Sequence, residues 1–504
     1  MWKQLFKTLP IEHLIDDSET SVKQPKMKRA LGRWGVTALG IGAVIGTGIW
    51  TITGVAAQGA QVEVQSFWNA SLLDLIMHGS DALGTHGLPG AGPAIVVSYL
   101  LAAIVCGFAA LCYAEMASMI PVSGSTYTYS YATLGEIFAW LVGWDLILEY
   151  AVSNMATAVG FSGHFASLLA NCGLTLPDEL MSPLFHCDDP SKWCFNLPPA
   201  LLVFFITVVL AIGIRETATA NDIFVAIKIV AIVLFVVGAG SYMKTENLQP
   251  FMPPAGVLGV LSAAPIVFFC YIGFDAVSTS AEECKNPKKD VPFGILTSLF
   301  ICSLLYVAVA LVLIGVADYT KLDARAPVPH ALKQLDLILL EPWVTIGILF
   351  GILSSVLVYQ YGQARIWAAM SRNRLLPDCF ARVHPQYRTP YISTWVAGFF
   401  VAIPAGMFQL SELAQLANIG TMFAFGLVCV GVWVLRSKRP ELERGFRVPC
   451  LPIISSLGVL GCAVLMLYLP LMTWVRFAAW LVIGLLIYFG YSRRRSRLYT
   501  QDST

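Results

Sequence analysis

Charge is scarce in this 504-residue chain: Asp, Glu, Lys and Arg make up 12% of it, hydrophobic residues 57%, and the mean hydropathy is +0.70. One soluble core cannot hide that much apolar surface, so a water-soluble fold is excluded and a bilayer has to take it. With a formal net charge of +1, nothing points to a nucleic-acid partner. Histidine is rare as well: of seven, only His164 falls in an apolar run. No nucleophile with a paired base stands at an interface, so no enzyme site is expected. Cys172, Cys187 and Cys194 share one polar loop with His186, but their spacing matches no zinc pattern, and neither metal nor cofactor is expected. Whether a disulfide forms among those three is open. Cys106, Cys112, Cys270, Cys302, Cys429 and Cys462 lie in apolar runs, where cysteine acts as a small hydrophobe. The opening segment lacks the apolar core of a secretory signal, carrying Lys3, Glu12, Asp16, Asp17 and Glu19 instead. Residues 1–33 are therefore expected to remain as a cytoplasmic tail.

What is abundant is long apolar runs. A spanning helix needs about 20 predominantly apolar residues, and the sequence predicts twelve spans, near 34–58, 93–119, 134–168, 198–214, 221–243, 257–281, 293–317, 342–371, 391–409, 413–435, 450–470 and 474–492. Short cytoplasmic loops should hold most of the Lys and Arg. With the amino terminus inside, 24 of the 32 basic residues fall in inner segments, six fall outside and two, Lys228 and Arg365, within spans. Both termini are thus expected to be cytoplasmic. The segments 59–92, with the sequon Asn69-Ala70-Ser71 and no Lys or Arg, and 171–197 are expected outside.

Span 1 holds four glycines within nine residues, Gly40, Gly42, Gly46 and Gly48. The spacing GxGxxxG, without a strand-turn-helix unit around it, rules out a dinucleotide fingerprint. Either the glycines let helices pack closely or they let the span unwind. Span 6 favours unwinding, because Phe268-Phe269-Cys270-Tyr271-Ile272-Gly273-Phe274-Asp275 places another glycine at mid-depth, five spans later. Two interrupted helices in corresponding positions are the mark of inverted-repeat carriers. Free N–H groups near Thr47 suit a carboxylate, and carbonyls near Phe269 suit an ammonium, so one amino acid can satisfy both.

Lys228 lies about seven residues into span 5. It either snorkels to the cytoplasmic face or buries its ammonium among span 1 carbonyls such as that of Gly42 and hydroxyls such as Ser354 and Ser355. In the second case, gain and loss of its proton would couple transport to a proton gradient. Asp145 and Glu149 share a face of span 3, and for Glu149 a substrate or proton role stands against a buried structural hydrogen bond. Glu115 and Asp275 are expected to be gate or packing residues, and Arg365 to reach the cytoplasm.

The segments 40–50 (GIGAVIGTGIW), 114–136 (AEMASMIPVSGSTYTYSYATLGE), 143–152 (GWDLILEYAV), 268–292 (FFCYIGFDAVSTSAEECKNPKKDVP) and 361–377 (YGQARIWAAMSRNRLLP) resemble the amino acid, polyamine and organocation transporters. Within that superfamily they are similar to bacterial carriers related to the cationic amino acid transporters, over almost all of residues 30–490. The resemblance implies an all-α membrane protein of about twelve helices with a leucine-transporter-like 5+5 inverted repeat. The first repeat would cover 34–243 and the second 257–435, with two additional helices over 450–492 and a basic cytoplasmic tail over 493–504. It implies substrate binding at Val44, Ile45, Thr47 and Gly48, with the carboxylate on the backbone of the last two, and ammonium binding by carbonyls of Phe269, Cys270 and Ile272. Ile352 would line the side-chain pocket, and Lys228 would replace a sodium ion. The expected activity is proton-coupled amino acid symport, in a bilayer expected to be a bacterial inner membrane. An exchanger, or more remotely an ion channel, is the alternative.

Overall fold

The computed structural model describes residues 6–10, 31–59, 67–78, 89–122, 124–186, 193–212, 215–253, 255–387 and 389–496. Among these the architecture is all helical, with three isolated bridges and no strand. The first expected span is α1 (Arg33–Val44) and α2 (Thr53–Gln58), joined through a π-helical turn at Gly48–Ile52 and bent by 40°. Then come α3 (Ile95–Met119), the short α4 (Ser125–Thr133), α5 (Glu136–Asn171), α6 (Leu197–Ile212) and α7 (Arg215–Gly240). The sixth expected span divides into α8 (Val257–Phe268), a 3-10 turn at Phe269–Tyr271 and α9 (Ala276–Thr279). The remainder is α10 (Pro287–Val316), the short α11 (Pro327–Gln334), α12 (Glu341–Arg372), α13 (Tyr391–Ala405), α14 (Leu410–Lys438), α15 (Leu451–Leu467) and α16 (Leu471–Ile487).

Each expected span coincides with a helix or a broken pair. Among the described residues, seven helices are long and apolar enough to cross a bilayer, eight with the bent pair, while α6, α13 and α15 are apolar but shorter. The 36-residue α5 is long enough but less apolar, because its inward face carries Asp145, Glu149, Asn154 and His164.

The distribution of side chains is that of a membrane protein. Charged and amide groups such as Lys228, Asp145, Gln360 and Gln363 are fully buried, while Phe300 and Val237 are each 71% exposed. Water would penalise such an outer surface, whereas lipid does not.

The described parts of the segments 59–92 and 171–197 clamp neighbouring turns. Near α15 and α16, Leu72 N–H donates to Leu469 O at 3.1 Å and Leu471 N–H to Ala70 O at 3.0 Å. Asn196 N–H donates to Gly406 O at 3.0 Å and Phe185 N–H to Met407 O at 3.3 Å, capping the turn after α13. Cys194 is disulfide-bonded and Cys172 is a free thiol; Cys187 lies outside the described residues.

Candidate functional site

The two interruptions meet at the centre of the bundle. A Cβ on Gly48 would stand 2.8 Å from the Cα of Cys270, so the two unwound segments touch backbone to backbone and only a residue without a side chain fits there. In span 6 the chain turns at Gly273, whose φ of +117° is one that side chains rarely permit.

Unwinding frees backbone polar groups, and each must find a partner. The Tyr306 hydroxyl on α10 lies 2.7 Å from Val44 O and 2.7 Å from Cys270 O. It has a single proton, so one of those two carbonyls is always short of this donor. Tyr359 on α12 donates to Ile272 O at 2.9 Å. Phe269 O accepts the Ile272 N–H at 3.3 Å, and the Phe269 side chain is buried. On the donor side, the N–H groups of Thr47 and Gly48 make no hydrogen bond among the described residues. The Thr47 hydroxyl is turned to α5, where it donates to Thr157 O at 3.0 Å. The result is a pair of free N–H groups beside acceptors with spare lone pairs.

A second cluster adjoins the first. Lys228 sits thirteen residues after Arg215 at the start of α7, a rise of about 20 Å, and is fully buried. It does not snorkel out. Its Nζ donates to Ile45 O at 2.8 Å and Gly42 O at 2.9 Å, with a longer contact to Ile41 O at 3.5 Å. Three carbonyls match the three N–H groups of an ammonium. Ser355 donates within reach of Gly42 O at 2.9 Å and Ile45 O at 3.1 Å; Ser354 bonds Asn221 Oδ1 at 2.8 Å and lies 3.4 Å from Gly42 O. Ile352, one turn before Ser355 on α12 and therefore on the same side of it, is fully buried.

A family model described as amino acid permease matches residues 31–490. The chain belongs to the amino acid permease family. This permease is 43% identical over 98% of its length and 99% of the relative to the branched-chain amino acid permease BcaP of Bacillus subtilis (strain 168). It is 41% identical, over the same shares of each chain, to the methylthioribose transporter of that organism. It is also 32% identical over 85% of its length to a vacuolar cationic amino acid transporter of Arabidopsis thaliana, covering 63% of that longer protein. The permease is accordingly a multi-pass membrane transporter of the superfamily that its motifs resemble, and not an enzyme.

The structure joins Val44, Ile45, Thr47, Gly48, Phe269, Cys270 and Ile272 in one place and Lys228, Gly42, Ser354 and Ser355 in the next. Glu149 is buried and makes no hydrogen bond to either group; Thr421 and Asp275 are among its neighbours. Arg365 departs from expectation. It is 8% exposed and pairs with Glu283 at 2.5 Å instead of reaching solvent. Sequence reasoning missed Asn221, Tyr306 and Tyr359. For the tyrosines nothing in an aromatic residue within an apolar run separates a hydroxyl with a task from plain packing; Asn221, at the polar edge of a span, reads as an ordinary boundary residue.

Proposed function

We propose that this permease moves an amino acid across the membrane by alternating access, in symport with protons. The observation that carries the reading is the free N–H pair of Thr47 and Gly48 next to carbonyls of Val44 and Cys270 that share one hydroxyl proton. A carboxylate matches the first group and an ammonium the second. On this reading all twelve helical segments cross the bilayer, the basic end of the bundle is cytoplasmic with both termini, and residues 34–243 and 257–435 are inverted repeats. The first, second, sixth and seventh spans rock as a bundle. The disulfide at Cys194, in a segment that this topology puts outside, supports that orientation, because such bonds persist in oxidising compartments. The Bacillus relatives support a bacterial cell membrane.

Lys228 holds the unwound end of span 1 through its N–H groups. Losing one proton leaves two donors for three carbonyls, which loosens that segment and couples protonation to its conformation. Lys228→Ala should therefore abolish uphill uptake in proteoliposomes while downhill flux persists; pH-gradient-driven accumulation equal to wild type would remove Lys228 from the mechanism. An exchanger is separated from a symporter by uptake with and without internal substrate. Because BcaP relatives are named for branched-chain amino acids and another relative for methylthioribose, a binding screen on purified protein should include both classes. Tight binding of methylthioribose alone would sink the zwitterion reading.

A further inference from the structure

A third polar cluster runs along α5. Asp145, Glu149 and Ser153 follow at four-residue steps along α5 and share one face, and all three are buried. Both carboxylate oxygens of Asp145 lack a hydrogen-bond partner, as do Glu149 Oε2 and Ser153 Oγ. Across from them is α14. A Cβ on Gly420 would come within 2.7 Å of Asp145 Oδ1, and Thr421, whose hydroxyl donates to Ala417 O at 3.0 Å, is a neighbour of Glu149. Asn418, one turn before Thr421, donates its Nδ2 to Pro265 O at 2.6 Å and leaves its buried Oδ1 unpartnered. Apart from the Ser153 hydroxyl, every open atom of this seam is an acceptor.

Among the described residues, the other groups that face the pair supply no positive charge. Asp275 from span 6, Tyr113 from α3 and Tyr359 from α12 approach Glu149, and the Tyr150 hydroxyl is committed to Asp275 Oδ2 at 3.0 Å. Two bare carboxylates one turn apart with neither a cation nor enough donors are strongly disfavoured in a low-dielectric interior. A proton on a carboxyl turns an acceptor into a donor and removes the charge. We propose that Asp145 and Glu149 form a second proton-holding site, with Asp145 carrying its proton as a buried carboxylic acid against α14. The occupant is a proton and not a metal cation, because Gly420 is packed onto Asp145 Oδ1 where a metal would need a shell of oxygens. The site's role in coupling rests on the proton-symport reading, but its existence does not.

Infrared absorption spectra of the reconstituted full-length carrier at neutral pH, in sodium-free and sodium-containing buffer, test this. Wild type should keep a protonated-carboxyl stretch at neutral pH that disappears in Asp145→Asn. If Asp145→Asn fails to fold, judged by helical circular dichroism, Asp145→Glu is the substitute and should retain the band at a shifted frequency. A band that is unchanged in Asp145→Asn, one absent from wild type, one absent from or unshifted in Asp145→Glu, or one lost on adding sodium, overturns the proposal. A wild-type carrier with the Asp145 band that accumulates nothing on a pH gradient would lose the symport reading and keep this site. Gradient-driven uptake without the band would do the reverse.

Discussion

The Tyr306 hydroxyl ties the two interrupted spans together with a single proton placed between Val44 O and Cys270 O. On the proposed reading this tie holds the two carbonyls at one spot, where a substrate ammonium would take the lone pairs that the single hydroxyl proton leaves open. Tyr306→Phe keeps the ring and its packing against Tyr99 and Tyr271 and removes only the donor. One such hydrogen bond is worth about 1 kcal/mol net, so substrate affinity should change by roughly five- to tenfold. Weaker binding in a calorimetric titration, with helix content unchanged, is the expected result; unchanged affinity would mean that the clasp does not shape the site. Lys228 is the same argument with charge. Its position in an apolar run is visible in the sequence, but its three acceptors, 183 to 187 residues away in the chain, are not.

The interrupted helices depend on what packs around them. Glycine lowers the cost of unwinding, yet Gly40 and Gly46 also give close approach to Ser298 and Ser355, so the two readings of the glycine run both hold along one helix. At the basic end, span 6 is latched to α12. The carboxylate of Glu283, in the 3-10 turn Ala281–Glu283, takes Arg365 Nη2 at 2.5 Å and the Tyr361 hydroxyl at 2.5 Å. The guanidinium also lies 3.7 Å over the Tyr361 ring. A hydrogen bond to a charged group is worth about 1.5–3 kcal/mol, so Glu283→Gln should shift the carrier toward the conformer open at this end. Cys284 reports on it, because burial pushes its thiol up to about 12 and keeps it unreactive, while opening returns it toward the ordinary value near 8.5. Labelling of the Cys284 peptide by a thiol reagent, read by mass spectrometry, should become at least about tenfold faster in Glu283→Gln. An unchanged rate would show that the latch does not hold this end shut.

Across the whole molecule, the basic end is gathered at the first residue of α5. The Glu136 carboxylate accepts from Tyr131 at 3.0 Å, from Tyr488 at 2.9 Å and from Ser496, while its N–H donates to Lys7 O at 3.2 Å. Leu9 N–H adds a bond to Tyr131 O at 3.1 Å. Segments from both ends of the chain thereby meet at one residue, the carboxyl-terminal one held by the Glu136 carboxylate and the amino-terminal one by backbone bonds. Hydrogen bonds to a charged group are worth about 1.5–3 kcal/mol each, so Glu136→Gln should loosen the carboxyl-terminal segment, while the backbone bonds to Lys7 and Leu9 stay in place. Limited proteolysis should then cut after Tyr488 several-fold faster with little change within residues 6–10; an unchanged rate after Tyr488 would show that the carboxylate does not hold that segment. Composition, apolar run lengths and the uneven placement of Lys and Arg determined by themselves that this is a helical, multi-pass membrane protein with two weak points, since those are properties of consecutive residues in contact with lipid. The family followed from the sequence as well, through motifs each contained in a short stretch. Only the tertiary structure decided which hydroxyl answers which freed carbonyl, that Arg365 turns inward to Glu283, and that Asp145 is left without a donor. Hydrogen bonds reach about 3 Å, and which groups come that close depends on how distant helices pack, a relation that no stretch of consecutive residues contains.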